Sequence, residues 1–179
     1  MPNKLWNQLL ASCATLLLVL TAAPAYAQES PSTARPNAVY FELFGNGGLF
    51  SINYERALTP RVRVRAGAAA WTTESFWSDA ETSFATFPLM LQFVQGGGAH
   101  RLEAGAGVLL GKQSREFDAG ESSGFVSLAG LVGYRFEPPQ RRFIFRAGFT
   151  PFYGFGDPSV AYPDKGFMPS IGVSFGARF

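Results

Sequence analysis

Large apolar residues alternate with small or charged residues over most of the chain beyond residue 27. In the last segment, Phe175, Ala177 and Phe179 share one face, while Gly176 and Arg178 share the other. Successive side chains of a β-strand point to opposite sides, so this period of two predicts strands with one apolar face. The pattern therefore predicts an all-β fold.

Eight segments carry this alternation, and Gly, Pro, Asn and Asp separate them. The predicted strands cover residues 38–44, 49–58, 61–72, 84–95, 101–112, 124–136 and 141–153, and an eighth strand ends at residue 179. Most approach the roughly 9–11 residues that a tilted strand needs to cross a bilayer. Pro88 lies inside the fourth segment, where its missing N–H predicts a bulge or a locally irregular pairing.

The connections alternate in length. Those after strands two, four and six are short, whereas residues 73–83, 113–123 and 154–167 form long polar connections. The first connection, at residues 45–48, is an exception, because its Asn-Gly pair predicts a tight hairpin turn. An even strand number, short periplasmic turns and longer outer loops are typical of bacterial outer-membrane barrels.

These features predict an eight-stranded antiparallel up-and-down transmembrane barrel. The alternative is a soluble lipocalin-like barrel, which would place its large apolar residues inside. In this chain the second face carries Arg, Glu, Ser and many of the 20 glycines. Such residues suit the narrow interior of an eight-stranded barrel, so the sequence favours the membrane protein.

The first 27 residues have the pattern of a cleaved secretory signal. Lys4 is followed by an apolar stretch over residues 9–23 and by the small-x-small site at residues 25–27. About 15 apolar residues fall short of the roughly 20 that span a bilayer, which argues against a membrane anchor. Cys13 leaves lipidation as an alternative, although the main apolar run follows it. Residues 28–37 are expected to form a short periplasmic segment, and residues 38–179 the barrel.

The chain beyond the expected signal has few residues that could bind nucleic acid, metal or a cofactor. Lys4 is the only charged residue among the first 27, so the remaining chain has a net charge of +1 and lacks the basic footprint of a nucleic-acid-binding protein. Cys13 is the only cysteine, so no disulfide or thiolate ligand is expected. The carboxylates lack metal-ligand spacing. No cofactor, no metal and no nucleic acid are therefore predicted.

If the apolar face meets lipid, the other face fills the interior. The charged residues on that face are Glu42, Glu55, Glu103, Arg63, Arg65, Arg135, Arg146 and Arg178. Unpaired charges in a narrow interior would be costly, so the sequence predicts an internal Arg–Glu network near the periplasmic strand ends. The outer half of the same face carries Phe44, Leu49, Ser51, Ala69, Trp71, Gly107, Leu109, Gly111, Phe125, Ser127 and Thr150. These residues predict an apolar plug, or a space for one small apolar group.

The two predicted rims differ in charge. The long outer segments carry Glu74, Asp79, Glu81, Glu116, Asp118, Glu121, Asp157 and Asp164 against Arg115 and Lys165. Either they bind divalent cations that bridge lipopolysaccharide, or they are solvated loops. The short turns carry Arg56, Arg61, His100, Arg101, Arg141 and Arg142 against Glu137.

Aromatic residues are expected to form a ring at each membrane interface. The predicted periplasmic ring contains Tyr54, Tyr134, Phe136, Phe143 and Phe179. The predicted outer ring contains Trp77, Phe152 and Tyr153.

A catalytic site is not predicted. Lipid-modifying barrel enzymes need a serine activated by a histidine, and the only histidine, His100, lies in a Gly-rich turn on the expected periplasmic side. No serine is expected beside it in a lipid-facing cleft.

The chain beyond the signal resembles the OmpA/OmpX-like superfamily of small outer-membrane barrels. The resemblance rests on the eight alternating segments, on residues 39–43 followed by the turn 45–48 and by residues 51–56, and on the final Arg178 and Phe179. It implies a monomer in the outer membrane of a Gram-negative cell, in contact with membrane lipid and lipopolysaccharide. It also implies delivery by periplasmic chaperones and insertion by the assembly machinery, which reads the terminal strand at Phe179. A structural or surface-interaction role is favoured; a narrow pore or small-solute channel and a lipid-modifying enzyme are the alternatives.

Overall fold

The computed structural model describes residues 35–75, 78–115, 122–155 and 166–179, and the expected signal lies outside these residues. The strands are β1 (Asn37–Leu43), β2 (Phe50–Ala57), β3 (Val62–Ser75), β4 (Ser78–Gly97), β5 (His100–Arg115), β6 (Ser122–Phe136), β7 (Phe143–Phe149), β8 (Phe152–Gly154), β9 (Gly166–Met168) and β10 (Ile171–Arg178). Among the residues that the structure describes, no helix has the length and apolar character needed to cross a membrane.

The strands close into one antiparallel barrel of eight strand positions. Strands β1 to β7 pair in sequence order, and β10 pairs with both β7 and β1. The short strands β8 and β9 continue the lines of β7 and β10 beyond breaks next to Pro151 and Pro169, since proline cannot donate to the ladder. The predicted eight-stranded up-and-down barrel is therefore confirmed, although two of its strands are interrupted.

The barrel has one even end and one uneven end. The terminal rim carries Asn37, Phe179 and the short turns, and the Asn37 and Phe179 backbones exchange hydrogen bonds of 3.1 and 2.9 Å there. At the opposite end, the distal rim, β1 and β2 have only 7 and 8 residues, whereas β4 and β5 have 20 and 16. The turn between β1 and β2 consequently lies well below the ends of β3 to β6.

The predicted long connection over residues 73–83 is wrong. Strand β3 continues to Ser75 and β4 begins at Ser78, with Thr72 opposite Ser83 and a register shift between Glu74 and Ser75. Strands β5 and β6 likewise extend into the predicted segment 113–123. A strand pair can continue into water with polar side chains on both faces, so polarity alone did not mark the end of the ladder.

Pro88 interrupts the ladder without inserting a residue. The β3–β4 register runs through Ala66 opposite Leu89 and resumes unchanged at Ala69 opposite Thr86. On its other side, Pro88 lies opposite Leu109 in an even register. The irregular pairing expected from the sequence is therefore a local gap rather than a bulge.

The two faces of the barrel wall are inverted relative to a soluble protein. Ile52, Leu102 and Ile171 face outward and are 63%, 69% and 67% exposed, whereas the side chains of Glu55 and Arg135 are fully buried. The interior of the barrel, and not its wall, therefore holds the polar chemistry.

Candidate functional site

Glu55 and Arg135 form the centre of an ion-pair network in the terminal half of the interior. Arg135 Nη2 lies 2.5 Å from Glu55 Oε1, and Arg135 Nη1 lies 3.2 Å from Glu103 Oε2. Arg63 Nη1 donates to Glu55 Oε1 over 3.1 Å. These side chains come from β2, β3, β5 and β6, so the network connects opposite walls of the barrel.

A second arginine extends the network toward β7. Arg146 Nε donates to Glu103 Oε1 over 2.8 Å. With its amide oriented to suit its neighbours, Gln92 donates to Glu55 over 2.9 Å and accepts from Arg146 Nη2 over 3.0 Å. Each buried carboxylate thus meets more than one donor, which is what makes buried charges tolerable.

Glu137 belongs to this network, although the sequence analysis placed it among the charges of the short turns and not among the inward residues. It follows the last residue of β6 and folds back into the interior, where Arg135 Nε (2.5 Å), Arg63 Nη2 (3.0 Å) and Arg178 Nη1 (2.8 Å) bind it. Arg101, also predicted to lie in a turn, approaches Glu137 to 3.9 Å.

One signal for Glu137 was present in the sequence. The predicted inward set contains five arginines and only three glutamates, and such an imbalance calls for a further acid. Burial raises the pKa of Glu137, but the guanidinium groups of Arg135 and Arg63 more than offset this effect. Its pKa consequently lies below the ordinary value of 4.5.

Glu42 and Arg65 form a separate ion pair nearer the middle of the barrel. Ser174 Oγ donates to Glu42 over 3.2 Å, and Arg65 Nε donates to Asn53 Oδ1 over 2.8 Å. This pair lies beside the β1–β2 turn rather than at the terminal rim, where the sequence placed most of the charges.

The ring of Tyr40 joins the two groups of charges. The guanidinium carbons of Arg65 and Arg146 lie 5.5 and 4.7 Å from its centroid, within the range of cation–π contact. Its hydroxyl donates to Glu55 over 3.4 Å. All eight charged residues predicted for the interior are thus buried there in contact with one another or with polar neighbours.

The β1–β2 turn folds into the barrel and caps this polar region. Asn46 is fully buried, and its Nδ2 donates to the carbonyl of Gly130 on the opposite wall over 3.0 Å. Thr86 Oγ1 donates to the Gly47 carbonyl over 2.6 Å. Gly48 has a φ of +103°, and the ring of Trp71 occupies the space that a side chain would need. The sequence identified the turn but not its inward position.

Two residues predicted for the apolar plug lie outside it. Phe44 and Leu49 flank the turn and are 57% and 43% exposed. Phe44 has a φ of +55°, which breaks the alternation at the end of β1. Its N–H donates to the Leu49 carbonyl over 3.0 Å. The requirements of the hairpin therefore override the period-two pattern at these positions.

An apolar cluster fills the interior beside and above the turn. Its buried members are Met90, Leu109, Phe125, Ala129, Leu131 and Phe152, and Met168 packs against them. Gly111 lacks a side chain where the ring of Phe125 lies, so the aromatic ring fits across the interior. Of the predicted plug residues, Leu109 and Phe125 belong to this cluster, and Ser51, Ala69, Ser127 and Thr150 are also buried.

Phe152 is a correction to the predicted outer aromatic ring. It is 2% exposed and lies inside the barrel, whereas Tyr153 faces outward. The inward alternation of Ile144 and Arg146 in β7 continues across Pro151 to Phe152. Strand periodicity was thus a better guide than residue type.

His100 lies among the aromatic residues of the terminal rim. Its Nδ1 is 2.6 Å from the Tyr134 hydroxyl, and its ring centroid is 5.3 Å from that of Phe136. Tyr54 donates to Asn37 Oδ1 over 2.7 Å, and Phe179 is exposed at the same rim. Trp77 and most of the predicted acidic rim, including Glu116 to Glu121, Asp157 and Asp164, lie outside the described residues.

Comparisons with known proteins bear on the fold. No protein-family model and no curated protein matches the chain. Among solved structures, the N-terminal β-barrel domain of Pseudomonas aeruginosa OprF superposes with a TM-score of 0.54 at 16% identity, covering 81% of this chain and 98% of that domain. A structure of Ail, the attachment invasion locus protein of Yersinia pestis, gives a TM-score of 0.47 at 18% identity, covering 80% of this chain and 93% of Ail.

The likeness to the OprF domain concerns architecture, because the identity is low. The resemblance to small eight-stranded outer-membrane barrels inferred from the sequence is confirmed for the fold.

Proposed function

We propose that the chain is an integral outer-membrane barrel with a structural or surface-interaction role, and that its interior is closed. The observation that carries this proposal is the inversion of the barrel wall, with arginines and glutamates inside and large apolar side chains outside. In water such a surface would be a large aggregation-prone patch. In a bilayer the same apolar side chains contact lipid acyl chains, so their exposure costs little free energy.

The dimensions of the apolar surface support this proposal. Between Leu102 and Leu110, β5 presents only apolar residues outward. This run spans about 26 Å along the strand, or about 20 Å along the barrel axis at a tilt near 40°. The apolar band of outer-membrane barrels is about 25 Å tall. The belt on β5 is therefore within about 5 Å of the height of that band.

Three layers would close the interior against solutes. The Arg–Glu network occupies the terminal half, the inward turn with Asn46 lies across the middle, and the apolar cluster around Leu109 and Phe125 fills the rest. Buried, mutually paired charges in a narrow interior hold their side chains in place. A closed barrel of this kind acts through its outer surface and loops.

The proposal includes its partners. Membrane lipid and lipopolysaccharide would surround the belt, periplasmic chaperones would deliver the unfolded chain, and the assembly machinery would read the strand that ends at Phe179. The proposal takes the barrel as a monomer, since its closed strand pairing leaves no full-length sheet edge to which a second copy could add a strand. No catalytic role is included, since His100 contacts aromatic residues of the rim.

The experiment that tests the proposal combines fractionation with gel mobility. The expressed protein is expected in the outer-membrane fraction, with a faster-migrating band in unheated samples that shifts on boiling. Recovery from the soluble periplasm without a heat-dependent shift would contradict membrane insertion.

A narrow pore is the second candidate, favoured by the charged side chains that line the terminal half of the interior. Planar-bilayer recording separates the two. A closed barrel is expected to give no reproducible conductance steps, whereas discrete steps of constant size would establish the pore.

A further inference from the structure

A shallow cavity lies on the outward wall of β3, β4 and β5, toward the distal rim. Its volume is about 380 Å³, and its outward-facing lining consists of Ala70, Thr72, Ser83, Ala85, Lys112 and Ser114. Three of these residues are hydroxyl-bearing, two are alanines and one is a cation. The interior features described above make no use of this wall.

The register places these six residues in two rows across the three strands. Ala70 lies opposite Ala85, and Ala85 lies opposite Lys112. The next row toward the distal rim contains Thr72, Ser83 and Ser114. The Thr72 and Ser83 hydroxyls are 3.0 Å apart. The short side chains of the two alanines leave a depression in the first row, and the hydroxyl groups of the second row border it.

The cavity marks the upper edge of the apolar belt. One row nearer the terminal rim, the outward residues are Ala68, Phe87 and Leu110. Toward the distal rim, the first polar outward residue is Lys112 on β5, and Thr72 on β3 and Ser83 on β4 follow one row further out. A change from apolar to polar outward residues is expected where hydrocarbon gives way to lipid headgroups.

Lys112 is the only charged residue at the outward positions of β3 to β5 over residues 62–72, 83–93 and 102–114. Lysine is also rare here, since Lys165 is the only other one beyond residue 27. A flexible ammonium group with hydroxyl donors beside it suits a phosphate oxygen. One row further out, the register pairs Glu74 with Glu81.

We propose that this cavity binds the phosphate headgroup of an anionic membrane lipid, one without a positive group beside the phosphate, with Lys112 as its charge partner. The hydroxyls of Thr72, Ser83 and Ser114 complete the headgroup site. The acyl chains lie along Phe87 and Leu110 below it. This inference rests on the proposed membrane location, because only a bilayer supplies a phosphate and hydrocarbon at this one boundary.

Lipid-specific fluorescence quenching tests the site. The protein is purified from the membrane fraction and reconstituted in phosphatidylcholine vesicles that contain a minor fraction of phosphatidylglycerol. Bromine is carried on the acyl chains of one lipid at a time. Trp71 belongs to the barrel wall at this cavity, and its ring lies on the inner side of that wall beside Gly48. W77F makes Trp71 the reporter, because Trp6 lies in the expected signal.

Brominated phosphatidylglycerol is expected to quench Trp71 with about fivefold preference over brominated phosphatidylcholine, which corresponds to about 1 kcal/mol for one cation at a membrane surface. Lys112→Gln should remove the preference and Lys112→Arg should retain it. Arg61→Gln, which removes a cation from an exposed turn at the terminal rim, is the matched control and should leave it unchanged.

The remaining outcomes are separable. Equal quenching by both lipids in the wild type, or an undiminished preference in Lys112→Gln, would overturn the lipid site. Abolition of the preference by inorganic phosphate would assign the cavity to free phosphate instead. A wild-type protein that does not float with vesicles would contradict the membrane location, whereas a floating protein without preference would contradict only the site.

Discussion

The two halves of the barrel interior are held together by different physics. In the terminal half, six strands and one turn contribute charges that pair with one another around Glu55 and Arg135. In the distal half, apolar side chains around Leu109 pack beside and above an inward-folded turn. The first half depends on pairing charges and the second on filling volume.

Each half of the interior is therefore sensitive to a different kind of substitution. A buried charge that loses its partner retains the full cost of desolvation, so the ionic half should be sensitive to single deletions. Truncation of a side chain in a packed cluster loses the transfer free energy of the removed atoms and leaves a cavity, so the loss of stability grows with the number of atoms removed.

Arg135→Met should be the most damaging substitution, because it leaves Glu55, Glu103 and Glu137 short of a partner at once. We expect a loss of about 4 kcal/mol in the free energy of unfolding. Urea titration of the folded barrel in detergent, followed by the unheated gel band, measures it. Arg61→Gln in an exposed turn should change stability by less than about 0.5 kcal/mol. A similar small change for Arg135→Met would mean that the network contributes little.

Phe152→Ala should destabilise the distal half by about 3 kcal/mol, because it empties a buried aromatic site. Its neighbour Tyr153 faces outward, so Tyr153→Ala should cost less than half as much in the same titration. If the two losses are reversed, β8 has the opposite facing and Phe152 belongs to the outer aromatic ring.

Asn46→Ala tests the turn that separates the halves. It removes the donor to the Gly130 carbonyl and the acceptor for Arg65, whose Nη1 lies 3.5 Å away. Leaving these groups unpaired should cost about 2 kcal/mol. If the turn also seals the interior, conductance steps should appear in planar bilayers for Asn46→Ala and not for the wild type. If Asn46→Ala loses the expected stability but gives no conductance steps, the apolar cluster and not the turn seals the interior.

Glu137 predicts how the ionic half responds to acid. Its pKa is lower in the folded barrel than the ordinary 4.5 of an unfolded chain. Its contribution is therefore fully present above that value and is lost as pH falls through the folded pKa. The difference in unfolding free energy between wild type and Glu137→Gln should be largest near neutral pH and shrink in acid. A difference that is constant with pH would show that Glu137 is not ionised in the fold.

The alternation of apolar and polar residues along the chain was sufficient to predict the wall of the barrel. It predicted the strand number, the outward apolar face and the burial of charges such as Glu55 and Arg146, because a period of two assigns each residue to one face. It failed where that period is interrupted. Phe44 leaves the pattern at a left-handed turn, and polar residues 73–75 extend a strand that was expected to end.

Contacts between residues that lie far apart in the chain could not be predicted from the alternation and are seen only in the closed barrel. Asn46 reaches Gly130 and Glu137 reaches Arg63 across 84 and 74 residues of chain, and no local pattern encodes which turn folds inward. The alternation of residues along each strand fixes which side of the wall is charged, because successive side chains of a strand point to opposite faces. Tertiary structure decided which charges pair and what caps them, because those contacts exist only once eight strands have closed around a shared interior.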